Sequence, residues 1–455
     1  MSHLNQLISH FGQEKVILDP TLLKTYQSDR YQHVLNQALV AVTPTKKEDL
    51  AYLLKFANKH KIPLTIRAAG TSTTGAATPK KNTILVLMSK LNKILEIDPL
   101  NKIAVVEPGV ITAELQNKVE ALGLFYPPDP ASLNECTLGG NVMQNAGGAR
   151  ALKYGVTRNY VLGLEGYWAN GKKFKFGGKI LKARHGYDLL QLLIGSEGTL
   201  GVITKIYLKL INKPANTRSV LVGFNSYQKA STLFQQITKA QLIPDTFEFM
   251  DEFSVKAAEQ FLKIEPILKN KAYFLIQLAA ETESELNRQT DILLTNVKSL
   301  QGAYKIPKNE TENQQIWQLR RCISDATKQI SFGKLSQDIV VPISEVPKYM
   351  VYLKKLSSAS TKVIGFGHLG DGNIHLNILN LKSKTDNWLY EAKKIEKRLI
   401  KYALKLGGTI SGEHGFGLAK KEYLSLLYSS REINDFRKIK KLFDPNYILN
   451  PGNIF

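Results

Sequence analysis

Residues 367–375 read Gly-His-Leu-Gly-Asp-Gly-Asn-Ile-His, and residues 412–415 read Gly-Glu-His-Gly. Apolar segments flank Asp371-Gly372, a dipeptide that tolerates the positive φ angles of a tight hairpin turn. The pattern predicts a β-hairpin whose two-residue turn pairs His368 directly with His375, with β-carbons roughly 4.5–5.5 Å apart. Two imidazoles on one sheet face at that spacing can chelate one divalent ion.

The second motif supplies candidates for a third ligand and for a base. Glu413 is the natural third ligand, because zinc, manganese or iron accepts two imidazoles with one carboxylate and leaves positions open for substrate. His414 is then a candidate general base, since an unperturbed imidazole titrates near working pH. Glycine is dense around these residues, which favours close approach of the backbone to a ligand. The alternative is an ordinary hairpin followed by a solvated loop.

Length and composition describe a globular chain. Its 455 residues, 43% of them hydrophobic, exceed what one hydrophobic core usually supports, so two or more domains are expected. The sequence has no run of about 18 apolar residues and no signal-peptide pattern at its start. Cys136 and Cys322 are too few for a disulfide framework and fit a reducing compartment. We expect a cytoplasmic protein without a transmembrane span.

The formal net charge of +22 bears on which kinds of partner the protein can bind. The basic residues are mostly lysines spread along the chain, without the basic and aromatic stripe of a nucleic-acid interface. A solvated lysine-rich surface is one interpretation. The other is an anionic partner, either a phospholipid leaflet or an acidic electron carrier. Peripheral contact with the cytoplasmic membrane face is therefore a second expectation for the location.

Two segments of small residues predict a phosphate cradle. Residues 67–77 follow a buried strand predicted over 62–66, and their backbone N–H groups can hold a phosphate. Residues 137–148 have the same composition and follow Tyr126-Pro-Pro-Asp-Pro-Ala-Ser132. Two such loops in one domain can clamp a diphosphate from two sides, although each alone also fits an ordinary turn.

Hydrophobic periodicity gives the surrounding elements. The N-terminal half combines an amphipathic helix over 47–60, a strand over 39–43 and a hairpin around Asn170-Gly171. After residue 215 strands alternate with long helices, which predicts an α+β domain with helices on one face of its sheet. The predicted strands of this part span 219–224 and 273–278, and its helices span 227–240, 252–262, 282–299 and 386–406.

Nine further motifs, together with the two quoted above and in the order in which they follow along the chain, form a pattern that is more specific than any one of them. They are Arg67-Ala-Ala-Gly-Thr-Ser72, Pro108-Gly-Val110, Tyr126 to Ser132, Cys136-Thr-Leu-Gly-Gly-Asn141, Asn145-Ala-Gly-Gly148, Lys153-Tyr-Gly-Val-Thr157, Gly186-Tyr-Asp-Leu189, Gly195-Ser-Glu-Gly-Thr-Leu-Gly201 and Asn450-Pro-Gly452. From about residue 36 to 455, the chain resembles the FAD-binding D-2-hydroxyacid dehydrogenases of the vanillyl-alcohol-oxidase-type (PCMH-type) flavoprotein superfamily. That group includes FAD-linked D-lactate dehydrogenase, the FAD subunit of glycolate oxidase and D-2-hydroxyglutarate dehydrogenase.

Apolar residues at helical spacing predict an N-terminal helical segment over residues 1–35. For the rest of the chain the resemblance implies an α+β fold, in which residues 36–214 would form a PCMH-type FAD-binding domain of two α/β subdomains. Residues 215–425 would form an α+β substrate, or cap, domain with an antiparallel sheet covered by helices. Residues 426–455 would pack back on the active site.

The resemblance also implies FAD as a cofactor. Superfamily members that attach flavin covalently use a histidine in or near the first small-residue loop, and none stands there, so non-covalent FAD is expected. The implied FAD-binding residues are Arg67, Ala68, Ala69, Gly70, Thr71, Ser72, Gly75, Ala76, Pro130, Ser132, Thr137, Gly139, Gly140, Asn141, Asn145, Gly147, Glu197, Gly198, Gly201, Val202, Ile203 and Asn450.

For the reaction centre, the resemblance agrees with the hairpin argument on the metal. His368, His375 and Glu413 match the family's ligands to a divalent metal, and His414 matches its base. Arg320 matches the arginine that holds the substrate carboxylate, although the neighbouring Arg321 leaves this assignment uncertain by one position. Ser324 and Lys334 are further candidate substrate contacts.

The implied activity is oxidation of a D-2-hydroxy acid, D-lactate or glycolate first among them, to the 2-oxo acid. Electrons would pass from FAD to a quinone or a protein, because the sequence has no dinucleotide fingerprint for NAD. One alternative is a flavin oxidase that uses oxygen. Another is a subunit that holds FAD within a multi-subunit glycolate oxidase complex.

Overall fold

A computed structural model describes residues 3–183, 185–382 and 387–455. These residues form two compact units. Unit 1 comprises the described residues within Met1–Gly147, Val156–Lys213 and Glu413–Phe455, and unit 2 those within Gly148–Gly155 and Pro214–Gly412. The predicted domain limits of 1–35, 36–214, 215–425 and 426–455 stay a prediction.

Unit 1 combines short helices with three sheets. Its helices are α1 (His3–Phe11), α2 (Pro20–Lys24), α3 (Lys47–His60), α4 (Thr112–Glu120), α5 (Leu138–Gln144), α7 (Leu189–Leu193), α15 (Leu424–Leu427) and α16 (Ser430–Phe443). Its strands are β1 (Val16–Ile17), β2 (Val40–Val42), β3 (Leu64–Arg67), β4 (Ile84–Leu87), β5 (Ile94–Asp98), β6 (Ile103–Val106), β7 (Leu124–Phe125), β8 (Val161–Trp168), β9 (Lys173–Gly177), β10 (Gly201–Lys209) and β11 (Ile211–Asn212).

The sheets of unit 1 differ in direction. One has the order β1-β2-β4-β3, in which β4 pairs in parallel with both β2 and β3. Another has the antiparallel order β5-β6-β10-β8-β9, and β7 pairs with β11 in a small ribbon. The predicted hairpin around Asn170-Gly171 is confirmed as β8 and β9, and Gly171 has the positive φ angle that the turn requires.

Helix α3 shows how the sequence sets the first of these sheets. Leu50, Leu53, Leu54 and Ala57 are spaced for one helical face, and all four are buried in a core shared with β2, β3 and β4. The helix ends at His60, and the next residue, Lys61, adopts the left-handed conformation that turns the chain toward β3. The predicted helix over 47–60 is therefore confirmed at both ends.

Unit 2 is built around one long antiparallel sheet with the order β15-β12-β14-β13-β17-β18-β16. Its helices are α6 (Ala151–Tyr154), α8 (Tyr227–Lys239), α9 (Glu252–Leu262), α10 (Glu283–Ser299), α11 (Glu310–Arg321), α12 (Ile323–Gln329), α13 (Val346–Lys355) and α14 (Trp388–Lys405). Its strands are β12 (Asn216–Phe224), β13 (Thr246–Asp251), β14 (Ala272–Ala280), β15 (Ala303–Lys305), β16 (Gly333–Val340), β17 (Thr361–His368) and β18 (Asn373–Asn380). The start predicted for the last helix, Asp386, lies outside the described residues.

The α+β class is confirmed, but the prediction that helices cover one face of this sheet is wrong. On one face Met250, Leu275 and Ile364 pack with residues of α9, α11 and α12. On the other, the rings of Phe234 in α8 and Phe247 in β13 lie 5.3 Å apart. Strands such as β14 are apolar at successive positions, so both of their faces must be covered.

The short segment Gly148–Gly155 belongs to unit 2 through polar contacts of α6. Lys153 Nζ lies 2.6 Å from Asp245 Oδ1, and the Tyr154 hydroxyl donates to Asp245 Oδ2 at 3.1 Å. Asp245 is almost fully buried and directly precedes β13. The pair therefore holds α6 against the strand that begins one residue later.

Within residues 3–183, 185–382 and 387–455, the helices lack the combination of length and apolar character needed to cross a bilayer.

The α6 contact gives a prediction about stability. Asp245→Ala removes a buried acceptor from two donors and should lower the free energy of unfolding by about 1–3 kcal/mol. Glu252→Ala, which breaks the exposed pair of Glu252 with Lys256, should leave it unchanged within error. Urea denaturation of both variants measures the difference, and equal effects of the two substitutions would contradict the anchoring role of Asp245.

Candidate functional site

The histidine motif forms a β-hairpin, as predicted, but with a different register. His368 pairs with Asn373, and His375 pairs with Phe366, so the two histidines are diagonal rather than directly opposed. The connection is longer than a two-residue turn, because residues 369–371 form a 3₁₀ turn and only Gly372 adopts a positive φ. The predicted direct pairing is wrong by two residues.

A shift of two residues keeps both imidazoles on the same face of the sheet. Nε2 of His368 lies 3.2 Å from Nε2 of His375, and the ring planes are nearly perpendicular. Two nitrogens bound to one zinc ion at 2.0–2.1 Å in tetrahedral geometry are about 3.3 Å apart. The distance between the two nitrogens therefore fits a shared ion, and it also fits an N–H···N hydrogen bond.

A buried carboxylate that the sequence analysis missed contacts this pair. Glu248 in β13 is fully buried, and its Oε1 lies 2.5 Å from Nδ1 of His368. Its Oε2 lies 2.7 Å from Nη2 of Arg320. Burial alone would raise the pKa of Glu248, but His368 and Arg320 outweigh it and hold that pKa below its ordinary value. The signal in the sequence was an acid between apolar residues in the middle of this strand, Phe247-Glu248-Phe249.

The two neighbouring arginines have different environments. Arg320 is 7% exposed, and its guanidinium lies over the ring of Phe366 at 5.1 Å. Arg321 is exposed and lies over Trp317. Arg320 Nε is buried and has no hydrogen-bond partner among the described residues. A buried donor of this kind calls for a bound group, and a substrate carboxylate would satisfy it.

The other two candidate substrate contacts, Ser324 and Lys334, lie together. Lys334 Nζ donates to both the hydroxyl and the carbonyl oxygen of Ser324, at 2.8 Å each. Burial lowers the pKa of Lys334 to about 8, an effect that Asp325 opposes and Lys328 reinforces. At neutral pH the ammonium is still the main form.

The second motif begins where unit 2 ends. Gly412, the last residue of unit 2, donates its N–H to Asp338 Oδ2 at 2.8 Å, and Asp338 pairs with His375 in the sheet register. Glu413 and His414 are the first residues of the last segment of unit 1, where Nε2 of His414 lies 3.7 Å from Oε1 of Glu413. The hydroxyl of Thr74 donates to the carbonyl of His414 at 3.3 Å. The first small-residue loop thus holds the backbone of the predicted base.

That loop, residues 67–77, follows β3 as predicted. Arg67 donates to the carbonyls of Ser28 and Ala77 from beneath the loop, so its described hydrogen bonds go to the protein backbone. Gly70 and Gly75 adopt positive φ, and Thr73 Oγ1 is buried without a hydrogen-bond partner among the described residues. Ala68, Ala69, Thr71, Ser72 and Ala76 complete the loop.

The second small-residue segment, residues 137–148, is mostly helical and not a loop as predicted. Helix α5 occupies Leu138–Gln144, and the Thr137 hydroxyl caps its first turn by accepting the Gly140 N–H. A β-carbon on Gly139 would meet Pro108 at 2.4 Å, and one on Gly140 would lie 3.3 Å from the Ala68 β-carbon. The first turn of α5 therefore lies close to the first loop. The remaining predicted residues of this part are Pro130 and Ser132, which precede α5, Asn141 within it, and Asn145 and Gly147 directly after it.

Glu197 and Asn450, both predicted to contact FAD, use their polar atoms within unit 1. The Glu197 carboxylate accepts the N–H groups of Phe416 and Gly417 at 2.7 and 2.9 Å. Burial raises the pKa of Glu197 to about 7. Asn450 donates to the Glu197 carbonyl and accepts from Ile66 N–H in β3. Beside them, Gly198 precedes β10, where Gly201, Val202 and Ile203 are buried.

These observations fit the predicted cofactor. The first small-residue loop, with the buried and unpartnered hydroxyl of Thr73, adjoins the first turn of α5, and together they have the character of a phosphate cradle. Arg67, Glu197 and Asn450 tie this cradle to the surrounding chain. Direct contacts of individual residues with FAD stay predictions.

The hairpin turn gives a second prediction, with a matched control. Gly372 and Gly407 both have positive φ, near +80°, so alanine at either costs about 1–2 kcal/mol. A β-carbon at 372 would also lie 2.0 Å from the Val341 carbonyl oxygen, whereas one at 407 meets nothing closer than 3.9 Å. Gly372→Ala should therefore lower the thermal midpoint clearly more than Gly407→Ala. Equal midpoints in the two variants would show that the turn is not constrained as described.

Comparison with known proteins identifies both parts of the chain. Residues 213–454 match the family model described as FAD linked oxidases, C-terminal domain, and residues 38–177 match the FAD binding domain. The chain is 34% identical to glycolate oxidase subunit GlcD of Bacillus subtilis (strain 168), covering 95% of this chain and 92% of the relative. It is 33% identical to D-lactate dehydrogenase of Anaerostipes hadrus, covering 91% and 89%.

A third relative and a solved structure extend this result. The chain is 32% identical to D-2-hydroxyglutarate dehydrogenase of Stutzerimonas stutzeri (strain A1501), covering 97% of this chain and 96% of the relative. Its fold is similar to that of p-cresol methylhydroxylase, with a TM-score of 0.83, 16% identity and coverage of 100% and 97%. The resemblance and the PCMH-type fold expected from the sequence are confirmed. The chain belongs to the family of FAD-linked oxidases, whose cofactor is FAD.

Proposed function

We propose that the chain is an FAD-dependent dehydrogenase that oxidises a D-2-hydroxy acid, with glycolate and D-lactate as the first candidates, to the 2-oxo acid. The observation that carries the proposal is a group of polar side chains on one face of the unit 2 sheet. There Glu248 contacts both His368, one of the two paired histidines, and the buried Arg320, whose Nε–H has no hydrogen-bond partner among the described residues. Relatives named for glycolate, D-lactate and D-2-hydroxyglutarate support this substrate class.

The proposal includes a divalent metal on His368, His375 and Glu413. The spacing of the two Nε2 atoms and the contact of His368 Nδ1 with Glu248 support it, because a carboxylate behind an imidazole is the usual arrangement at metal sites. Glu413 follows Gly412 directly in the sequence, and one carboxylate with two imidazoles is a ligand set that a divalent ion accepts. Such an ion would supply Lewis acidity that lowers the pKa of a bound hydroxyl.

The side chains of this chain then have distinct roles. Arg320 binds the substrate carboxylate, with Lys334 and Ser324 as further contacts. His414 accepts the proton of the substrate hydroxyl, and the α-hydrogen leaves with its electron pair as a hydride. FAD, when bound, supplies the acceptor for that hydride. The small-residue segments of unit 1 hold the cofactor, which we propose to be non-covalent.

For the electrons we propose a quinone or a protein as the next acceptor. The net charge of +22 would favour an acidic carrier or an anionic cytoplasmic membrane surface. The alternative function is that of a subunit holding FAD in a larger glycolate oxidase, which the word subunit in the name of one relative favours. An oxidase using oxygen is the remaining alternative, and peroxide formation in air would reveal it.

The substrate class can be tested with the purified chain under anaerobic conditions. Addition of glycolate, D-lactate or D-2-hydroxyglutarate should bleach the visible absorbance of the flavin, and L-lactate should leave it unchanged. Arg320→Met should weaken the response to these hydroxy acids, whereas Arg321→Met, at the exposed neighbour, should not. If glycolate, D-lactate and D-2-hydroxyglutarate all leave the flavin oxidised, the dehydrogenase proposal fails.

The pKa of Lys334 gives a prediction about pH. A lysine whose pKa is lowered to about 8 loses its charge as the pH rises through 8. Its attraction for an anionic substrate is then lost, so kcat/KM for the hydroxy acid should fall above pH 8. Lys334→Arg keeps the charge and should move this fall to higher pH. An identical alkaline limb in both proteins would rule out Lys334 as its source.

A further inference from the structure

We propose that Glu248 is a positioning residue that orients both Arg320 and His368 for ligand binding. Binding of the metal and binding of the substrate carboxylate then depend on the same buried side chain. This inference rests on the proposed function and deepens it. No motif in the sequence pointed to Glu248, which lies 120 residues before His368.

Glu248 determines which ring nitrogen of a neutral His368 carries the proton. With a carboxylate oxygen 2.5 Å from Nδ1, the neutral imidazole keeps its proton on Nδ1, so Nε2 carries the lone pair and faces the His375 ring. The other neutral tautomer would place the proton between the two Nε2 atoms and leave Nδ1 facing a carboxylate with its own lone pair. Glu248 therefore selects the tautomer that can bind a cation.

Glu248 also contacts the arginine. Arg320 lies in α11 and His368 at the end of β17, two elements that are separate in sequence. Glu248 is in contact with both, and Phe366 supports the guanidinium from one side. Nη2 of Arg320 forms an ion pair with Oε2 of Glu248 at 2.7 Å, whereas its buried Nε–H has no hydrogen-bond partner among the described residues. The carboxylate thus holds the guanidinium in place while this N–H can donate to a ligand.

Glu248 is fully buried, so water does not reach its carboxylate. Its two oxygens instead lie 2.7 Å from Nη2 of Arg320 and 2.5 Å from Nδ1 of His368. A buried charged group is stable only when it is paired, so removal of either partner would leave the carboxylate with half of its compensating contacts. The three side chains therefore act as one unit.

Glu248→Gln in the full-length protein with FAD is the direct test, because glutamine keeps the size and removes the charge. We expect FAD content to stay at the wild-type level. The dissociation constant for Co²⁺ or Zn²⁺, measured by chelator competition on metal-depleted protein, should rise 10- to 100-fold. KM for the 2-hydroxy acid should rise at least tenfold, and the visible spectrum of the Co²⁺ form should change.

Asp251→Asn is the matched control. Asp251 is a buried carboxylate in the same strand, but it accepts the backbone N–H groups of Ser254 and Gly365. Its replacement should lower the thermal midpoint and leave the metal affinity and KM unchanged. A purely structural role of Glu248 would give the same result as this control.

Glu248→Asp is the second variant, and it decides the matter if the glutamine variant does not fold. Aspartate keeps the charge but is one methylene shorter, so it should raise the metal dissociation constant and KM measurably, although less than glutamine. Wild-type values for both quantities in the aspartate variant, or in a folded glutamine variant, would overturn the inference. Failure of the proposed function would appear in the wild-type protein itself, which would then bind no metal or keep its flavin oxidised.

Discussion

The ion pair and hydrogen bond of the buried Glu248 carboxylate are the interactions on which the unit 2 site depends. One oxygen contacts Arg320 and the other contacts His368, and both partners come from elements that reach the same face of the sheet. Apolar residues of the same face, among them Met250, Leu275 and Ile364, pack with residues of α9, α11 and α12 and bury the carboxylate. A charge in such surroundings is stable only when it is paired. The fold of unit 2 therefore brings Arg320 and His368 into contact with the two oxygens of Glu248.

The hairpin shows what sequence reasoning can and cannot predict. The glycine-rich motif predicted two strands and two histidines on one face, and alternation of side chains makes that result insensitive to a shift of two residues. The exact register depended on the loop, where residues 369–371 form a 3₁₀ turn instead of the tight turn favoured by Asp371-Gly372. A shift of one residue would have separated the histidines, and the local sequence gave no means of excluding it.

Contacts between segments that are distant along the chain could not be predicted from the sequence. Glu248 has no neighbouring motif, and its role follows only from the pairing of β13 with β17, which brings Glu248 beside His368. In unit 1, Asn450 shares a motif with the predicted cofactor site, yet its amide links β3 with the Glu197 turn. Motif membership did not distinguish a residue that holds a ligand from one that holds the chain together, because that difference depends on contacts between distant segments. The helices on both faces of the unit 2 sheet were missed for a related reason, since an apolar strand does not reveal what covers it.

The central claim is that the two imidazoles share one ion while Glu248 holds the first of them. Diffraction from crystals of the metal-loaded protein, recorded on both sides of the metal absorption edge, tests it directly. We predict an anomalous peak about 2.0–2.3 Å from Nε2 of both His368 and His375, with Nδ1 of His368 still in contact with Glu248. A map without a peak there, in which the two Nε2 atoms remain at hydrogen-bond distance, would contradict the account.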